Sequence, residues 1–136
     1  MKSFHYTTKI GLHHTDAAGI LFYSQIFSLA YEAFDAWLEH LGVGVAWIIQ
    51  ESDFLFPYVH AEADYFSGMT VGQTTVVDLS VENIGCSSLT IVYHFQVEGR
   101  STASVKTVHV AISKKSNNKI DLPDEMQRAL TTFMNS

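Results

Sequence analysis

A long amphipathic segment with a narrow polar face, residues 22–41, is the feature that most constrains the fold. Its polar residues recur at spacings of four, three and four, which is the period of an α-helix. They are Ser28, Glu32, Asp35 and Glu39. Because the other positions are mostly apolar, such a helix must be buried around most of its circumference. Gly42 and Gly44 follow the segment and predict the end of the helix.

The rest of the chain reads mainly as β-strands, with apolar side chains at alternate positions. Predicted strands cover residues 4–12, 56–66, 74–83, 89–98 and 102–113, and short helices cover residues 45–51 and the segment opened by Pro123. One sheet needs a cover for its apolar face, and the long helix needs burial on several sides. The sequence therefore predicts an α+β fold, an antiparallel five-stranded sheet wrapped around a long central helix, as a single domain of residues 1–136.

The net charge and the cysteine content limit which binding partners and which cellular compartment we expect. Fourteen acidic residues against eight basic ones give a net charge of −6, which argues against nucleic acid or an anionic membrane as the main partner. The sequence contains neither a signal peptide pattern nor an apolar run of membrane-spanning length. A single cysteine, Cys86, excludes an internal disulfide framework. We expect a cytoplasmic protein.

The segment "HHTDAAGILFY", residues 13–23, places the carboxylate of Asp16 where a strand gives way to the helix. The amides at the start of a helix carry partial positive charge, and Gly19 lets the backbone pass close to a ligand. A carboxylate beside such amides can serve in the hydrolysis of an activated acyl group. The competing interpretation is that Asp16 only forms an Asx turn or caps the helix.

A metal-dependent alternative also starts from this segment. His13 and His14 are adjacent, so on a strand they would face opposite sides and could not readily share a metal ion. His14 and Asp16 fit the His-x-Asp pair of a non-haem iron site, with His94 or His109 as a distant third ligand. Iron enzymes of the jelly-roll type seldom interrupt their strands with a long buried helix, which disfavours this hypothesis.

Several segments together resemble a known family, the hotdog-fold acyl-CoA thioesterases of the 4-hydroxybenzoyl-CoA thioesterase type. "TDAAGILFY" resembles that family's D-x-x-G-[IV]-x-[FY]-[YH] signature at the strand-to-helix turn. "FPYVHAEADYFSGMTVGQ", "GCSSLTIVYHF" and "STASVKTVHVAIS" followed by "LPDEMQRAL" are similar to later segments of the same family. The resemblance covers nearly the whole chain in the family's order.

The resemblance implies the hydrolysis of an acyl-CoA to a free acid and CoA, without a metal or another cofactor. In the resembling enzymes the amide at the position of Tyr23 polarises the thioester carbonyl, and the carboxylate at the position of Asp16 attacks it or activates water. The catalytic residues implied are therefore Asp16, Tyr23 and Gly19. The sequence does not separate a nucleophilic from a general-base role, and either role needs an ionised Asp16.

The resemblance also implies substrate-binding residues and an assembly. His60 aligns with a histidine of the acyl pocket, although a structural histidine fits the sequence equally well. Ser87 and Ser88 are either turn residues or groups that approach the thioester from a partner subunit, and Phe22 is a further candidate. The implied assembly is a homodimer as the smallest active unit and a homotetramer as the full particle.

The expected substrate is an aromatic acyl-CoA, such as hydroxybenzoyl-CoA or 1,4-dihydroxy-2-naphthoyl-CoA. The resemblance points this way because Tyr23 is typical of the aromatic-acyl branch of the family. Phe22, Phe27 and Tyr58 would supply further flat apolar contacts, while Tyr65 is expected in the core. Candidate bases for the CoA phosphates are scattered: Lys106, Lys114, Lys115 and Arg128.

Two other functions remain open from the sequence. A preference for medium- or long-chain fatty acyl-CoA would use the same apolar lining. A non-catalytic acyl-CoA or acyl-carrier binding module would keep the fold without the chemistry. The presence of Asp16 argues against the binding module.

Overall fold

The computed structural model describes residues 2–136 as three helices and seven strands. The helices are α1 (Gln25–Leu41), α2 (Val45–Gln50) and α3 (Asp124–Asn135). The strands are β1 (Ser3–Lys9), β2 (Phe54–Leu55), β3 (Tyr58–Tyr65), β4 (Thr74–Ile84), β5 (Ser88–Val97), β6 (Arg100–Val110) and β7 (Ile112–Ser113). Five strands form one sheet in the order β1-β4-β5-β6-β3, and every neighbouring pair is antiparallel. The predicted α+β class with a five-stranded antiparallel sheet is confirmed.

The strands of the sheet bury one face, as the alternation in the sequence predicts. In β4 the buried apolar residues are Val77, Leu79 and Val81, and the side chains between them are only partly buried. In β5 five alternate residues are at most 1% exposed: Leu89, Ile91, Tyr93, Phe95 and Val97. Full burial of one such aliphatic side chain contributes roughly 2 kcal/mol, so these alternating positions supply a large part of the driving force for folding.

Helix α1 buries one broad face and contacts β1, β4 and β6. The buried residues on α1 are Ile26, Leu29, Ala30, Ala33, Phe34, Trp37 and Leu38. Gly42 ends the helix with a φ of +83°, a left-handed conformation that glycine adopts without steric cost, as predicted. The helix begins at Gln25 rather than at residue 22, because a turn precedes it. No helix within residues 2–136 combines the length and apolar character needed to cross a bilayer.

Two predicted strands are shorter in the structure than the sequence pattern indicated. The first ends at Lys9 rather than at residue 12, since the chain turns at Gly11 and forms a short 3₁₀ helix, Leu12–His14. The last predicted strand, residues 102–113, is divided. Strand β6 ends at Val110, and β7 then leaves the main sheet to pair with β2.

Lysine contacts explain why two of the four bases suggested for the CoA phosphates are engaged elsewhere. The Nζ atom of Lys114 donates to the carbonyls of Ile48, Ile49 and Ser52 at 2.7, 2.9 and 2.6 Å, so it caps the C-terminal end of α2. The Nζ atom of Lys106 on β6 lies 3.0 Å from a carboxylate oxygen of Glu82 on β4, across the intervening strand β5. The side chains of Lys115 and Arg128 are exposed and make no hydrogen bond or salt bridge within residues 2–136.

Candidate active site

Asp16 lies at the start of a tight hairpin between the 3₁₀ helix and α1. The backbone amide of Asp16 donates to the Ile20 carbonyl at 2.9 Å, and the Phe22 amide donates to the His14 carbonyl at 2.9 Å. One carboxylate oxygen, Oδ1, accepts the amides of Ala18 and Ile20 at 2.9 and 3.2 Å. Asp16 therefore forms the Asx turn that the competing interpretation predicted. The side chain is nevertheless exposed, and its Oδ2 makes no hydrogen bond within residues 2–136.

Gly19 closes this hairpin with a φ of +76°. A side chain here would be strained, because residues with a Cβ rarely adopt a left-handed conformation. The Gly19 amide donates to the Asp16 carbonyl at 3.0 Å, and its own carbonyl accepts the Val71 amide at 2.9 Å. The turn that presents the Asp16 carboxylate thus requires a glycine at position 19.

Tyr23 follows the hairpin directly and precedes the N-cap residue of α1, Ser24. Within residues 2–136 the Tyr23 amide has no hydrogen-bond acceptor. Its carbonyl accepts the hydroxyl of Tyr65 from β3. An unpaired amide at the start of a helix is the kind of donor that can stabilise a developing oxyanion. Tyr65, expected in the core, is instead 47% exposed because it makes this contact at the surface.

A cleft of about 660 Å³ lies beside the N-terminal half of α1. Its lining residues are His13, His14, Gln25, Phe27, Ser28, Tyr31, Glu32, Tyr58, Ala61 and Thr107. The cleft thus reaches His14 and Gln25, which are two residues from Asp16 and Tyr23 along the chain. Of the aromatic residues predicted for an acyl pocket, Phe27 and Tyr58 line the cleft. Burial raises the pKa of the Tyr58 hydroxyl to about 12, so it is neutral and can donate a hydrogen bond.

The two histidines of the segment lie on the 3₁₀ helix rather than on a strand, which corrects the prediction that they face opposite sides. Their ring centroids are 3.8 Å apart, and both rings line the cleft. His14 is only 4% exposed. Burial, followed by the neighbouring His13 ring, lowers the pKa of His14, so the ring is neutral at neutral pH.

The iron hypothesis lacks a suitable set of ligands. The Nδ1 atom of His14 already accepts the Gly11 amide at 3.0 Å. His94 is exposed on β5, and the buried His109 ring stacks on Phe34 at a centroid distance of 4.2 Å. Nowhere in the described part of the chain do three or more histidine, cysteine or acidic side chains gather in a metal-binding arrangement. His14 and Asp16 therefore have no third ligand beside them.

His60 does not line the cleft of its own chain. Its neighbour Ala61 does, and successive side chains on a strand point to opposite faces of a sheet. The His60 ring lies at the surface instead, with Nε2 at 3.0 Å from a carboxylate oxygen of Glu62. Within one chain His60 therefore lies outside the cleft, and its role in substrate binding stays a prediction.

Ser87 and Ser88 lie at the turn between β4 and β5, away from the cleft. The Ser87 carbonyl accepts the Ala111 amide at 2.9 Å, and the Ser88 carbonyl accepts the Gly85 amide at 2.8 Å. Neither serine lines the cleft of its own chain. The turn interpretation describes their contacts, and a role in catalysis would require a second subunit.

Phe22 is also outside the cleft. Its side chain is 46% exposed, and the ring packs against that of Tyr23 at a centroid distance of 5.0 Å. The structure therefore brings Asp16, Gly19, Phe22 and Tyr23 together on one hairpin. It does not bring them together with His60, Ser87 or Ser88 in the same chain.

Sequence reasoning missed Glu32 as a site residue. Glu32 appeared only as part of the polar stripe on α1, yet its carboxylate lines the cleft. Tyr6 and Thr8 of β1 donate to its Oε1 at 3.1 and 3.4 Å. The available signal in the sequence was an acidic residue on a helix with few polar positions. The sequence alone did not show which strand would face it.

A chain of buried polar groups lies behind the cleft. The Tyr93 hydroxyl and the Thr107 Oγ1 are 3.0 Å apart, and the same oxygen is 3.0 Å from Nε2 of His109. The Nδ1 of His109 has no partner with hydrogen-bond geometry within residues 2–136. The nearby Phe56 backbone acts to raise the pKa of the ring, against the effect of burial. Burial lowers the pKa of His109 to about 4. A neutral imidazole thus lies buried behind the cleft.

The chain is similar in sequence and in structure to known proteins. A 1,4-dihydroxy-2-naphthoyl-CoA hydrolase from Nostoc punctiforme is 31% identical over 130 residues, which cover 96% of this chain and 88% of that protein. The hydrolase of the same name from Synechocystis sp. is 30% identical over 132 residues, 96% of each chain. The crystal structure of a 1,4-dihydroxy-2-naphthoyl-CoA thioesterase from Synechocystis superposes with a TM-score of 0.89 at 27% identity, over 95% of this chain and 96% of that one.

The fold is therefore that of the hotdog thioesterases, as the resemblance in the sequence implied. The family model of the Thioesterase-like superfamily matches residues 10–130, which include the hairpin, α1 and all but the first strand of the main sheet. With a family match over residues 10–130 and a relative at 31% identity, the chain belongs to the Thioesterase-like superfamily.

Proposed function

We propose that this protein is an acyl-CoA thioesterase that acts on an aromatic acyl group of the hydroxybenzoyl or 1,4-dihydroxy-2-naphthoyl kind. The observation that carries the proposal is one hairpin that presents an exposed carboxylate oxygen of Asp16 and leads into the unpaired Tyr23 amide. This hairpin adjoins a cleft with aromatic rings in its walls. The names of the relatives supply the reaction and the substrate class.

The chemistry follows from the two groups on the hairpin. Hydrolysis breaks the thioester C–S bond, and water supplies the oxygen of the acid and the proton of the CoA thiol. Asp16 would attack the carbonyl carbon or remove a proton from the attacking water. The Tyr23 amide would donate to the carbonyl oxygen as negative charge develops there. No cofactor or metal is needed for either step.

Substrate preference tests the proposal directly. We expect higher kcat/KM values for benzoyl- and naphthoyl-CoA than for acetyl-, hexanoyl- or palmitoyl-CoA, because the rings of Phe27, Tyr31 and Tyr58 favour flat apolar groups. A thiol-release assay with these substrates side by side is the measurement. A lauroyl or longer optimum with negligible aryl turnover would support the fatty acyl-CoA alternative. Binding without turnover of any thioester would support the non-catalytic module.

We further propose a homodimer as the smallest active unit and a homotetramer as the full assembly. Strand β3 pairs with β6 on one side and forms the end of the main sheet on the other. Tyr58, Val59 and Tyr65 on this strand are 44%, 59% and 47% exposed. An open sheet edge that exposes apolar side chains among its polar ones is a surface that proteins usually cover. A partner on this edge would also bring a second set of His60, Ser87 and Ser88 side chains.

A charge on the open edge tests the dimer. We expect Val59→Lys to shift the protein to monomers at micromolar concentration and to remove most activity, because a lysine on this face opposes close pairing of two copies. Light scattering coupled to gel filtration measures the mass, and the thiol-release assay measures activity. Val59→Thr keeps the branched shape and serves as the control. A fully active wild-type monomer would contradict the proposal, and the wild-type mass also tests the tetramer.

The proposal also covers the extent of the domain, the place of α1 in the fold and the cellular compartment. Residues 1–136 form one catalytic domain, which is supported by a cluster of buried apolar residues that come from both the helices and the sheet within residues 2–136. The sheet wraps around α1 as a central helix, which is supported by the contacts of α1 with β1, β4 and β6. The protein acts in the cytoplasm on CoA thioesters.

A further inference from the structure

The carboxylate of Glu32 lines the cleft and is held in position by hydrogen bonds. The hydroxyls of Tyr6 and Thr8 both donate to its Oε1, at 3.1 and 3.4 Å. These two donors come from β1, whereas Glu32 belongs to α1, so the carboxylate is fixed between strand and helix. Its second oxygen, Oε2, accepts no hydrogen bond from any residue between 2 and 136.

The buried ring of His14 presents a donor next to this oxygen. Its Nδ1 accepts the Gly11 amide at 3.0 Å, so in the neutral ring the proton must be on Nε2. This Nε2 lies 3.6 Å from Oε2 of Glu32, which is too far for a good direct hydrogen bond. A buried N–H donor and a carboxylate acceptor therefore lie side by side, and neither satisfies the other.

This pair matches the hydrogen-bonding pattern of a hydroxyl group. A hydroxyl donates one hydrogen bond and accepts others, so a single oxygen can donate to Oε2 of Glu32 and accept from Nε2 of His14. A carboxylate or a second carbonyl on a ligand would be repelled by Glu32, and an aliphatic chain would leave both groups unpaired. Glu32 and His14 thus let the cleft select ligands by their hydrogen-bonding groups and not only by their size.

The remaining walls fit an aromatic ring that carries such a hydroxyl. Phe27, Tyr31 and Tyr58 supply aromatic contacts, and Ala61 adds a small side chain to the same lining. We propose that Glu32 and His14 form a subsite for a ring hydroxyl of the acyl group, so that this thioesterase selects hydroxylated over unsubstituted aryl-CoA thioesters. Tyr6 and Thr8 act as positioning residues for Glu32. The proposal rests on the thioesterase function proposed above and names the specificity-determining residues of that reaction.

Paired substrates test the subsite. The quantity is the ratio of kcat/KM for 4-hydroxybenzoyl-CoA to that for benzoyl-CoA, with 1,4-dihydroxy-2-naphthoyl-CoA and 2-naphthoyl-CoA as a second pair. For the wild-type protein we expect a ratio well above one. We expect Glu32→Gln to reduce that ratio about 10- to 100-fold, since a charged acceptor for a buried hydroxyl is replaced by a neutral amide. Glu39→Gln on the same helix lies outside the cleft and should keep the wild-type ratio.

The outcomes separate the subsite from the thioesterase function. Aryl turnover with an unchanged ratio in Glu32→Gln would overturn the subsite and leave the function standing. An absence of turnover on all four aryl thioesters in the wild-type protein would overturn both. If Glu32→Gln does not fold, Tyr6→Phe removes one positioning donor and should lower the ratio in the same direction by a smaller factor. An unchanged ratio in a folded Tyr6→Phe protein would then overturn the subsite.

Discussion

Replacing Asp16 by asparagine is expected to lower kcat at least about a hundredfold without unfolding the protein. The structure sharpens the reason for this expectation. Oδ1 of Asp16 holds the hairpin by accepting the amides of Ala18 and Ile20, and an asparagine side chain keeps an oxygen that can accept both. Only the negative charge and the free Oδ2 are lost. A rate loss in a folded Asp16→Asn protein therefore reports on chemistry and not on the turn.

The control is Asp53→Asn, which makes the same chemical change at an exposed position outside the cleft. This control should keep wild-type kcat on the same aryl-CoA substrate. Circular dichroism and urea unfolding confirm that both variants are folded. Near-normal turnover of Asp16→Asn would refute the catalytic assignment of Asp16, and the Asx turn would then be its whole role.

The free energy of unfolding is expected to fall by about 3 kcal/mol as the pH drops from 6.5 to 4, because of His109 alone. This ring is fully buried, and burial lowers its pKa from an ordinary 6.5 to about 4. Below pH 6.5 the unfolded chain therefore binds a proton that the folded protein does not bind. Stability from this group is fully present above pH 6.5 and is lost as the pH falls towards 4.

Urea unfolding across this pH range, for the wild-type protein and for His109→Phe, measures the effect. Other titrating groups contribute to both curves, so the difference in slope isolates His109. We expect the wild-type slope to exceed that of the variant by up to about 1.4 kcal/mol per pH unit. If His109→Phe does not fold, an NMR titration of the wild-type ring replaces it. Equal slopes, or a ring that titrates near pH 6.5, would show that His109 is not held neutral by burial.

The sequence predicted most elements of the fold because the burial pattern of each element follows its own local period. The alternation in residues 74–83 and 89–98 identified β4 and β5 almost to the residue, since each of these strands has one buried face. The ends of elements were less accessible. Strand β1 stops at Lys9 because the chain turns at Gly11 into the 3₁₀ helix, whereas the apolar alternation of the sequence continues to Leu12 and gives no sign of that turn.

The residues of the candidate site also fall into two groups, those placed by the local sequence and those placed by long-range packing. Asp16 and Gly19 could be found because they belong to one short motif whose turn is determined locally. Glu32 and His14 could not be paired from the sequence, because their proximity depends on how α1 packs against β1 and the 3₁₀ helix. His60 could not be excluded from the cleft, since the register of β3 against β6 decides which face it occupies. Such contacts depend on long-range packing, which the hydrophobic periodicity of the sequence does not predict.

The order of strands in the main sheet has a consequence for folding. Strands β4, β5 and β6 are consecutive in the chain and adjacent in space, so their pairing closes only short loops. Strand β1 must pair across a long separation, Ser3 with Ser80, and β3 must pair with β6 across β4 and β5. Closing long loops costs more entropy and slows pairing. We therefore expect both sheet edges to join a central β4–β5–β6 unit late, and a destabilised chain to lose its Asp16 hairpin and its β3 edge before that unit unfolds.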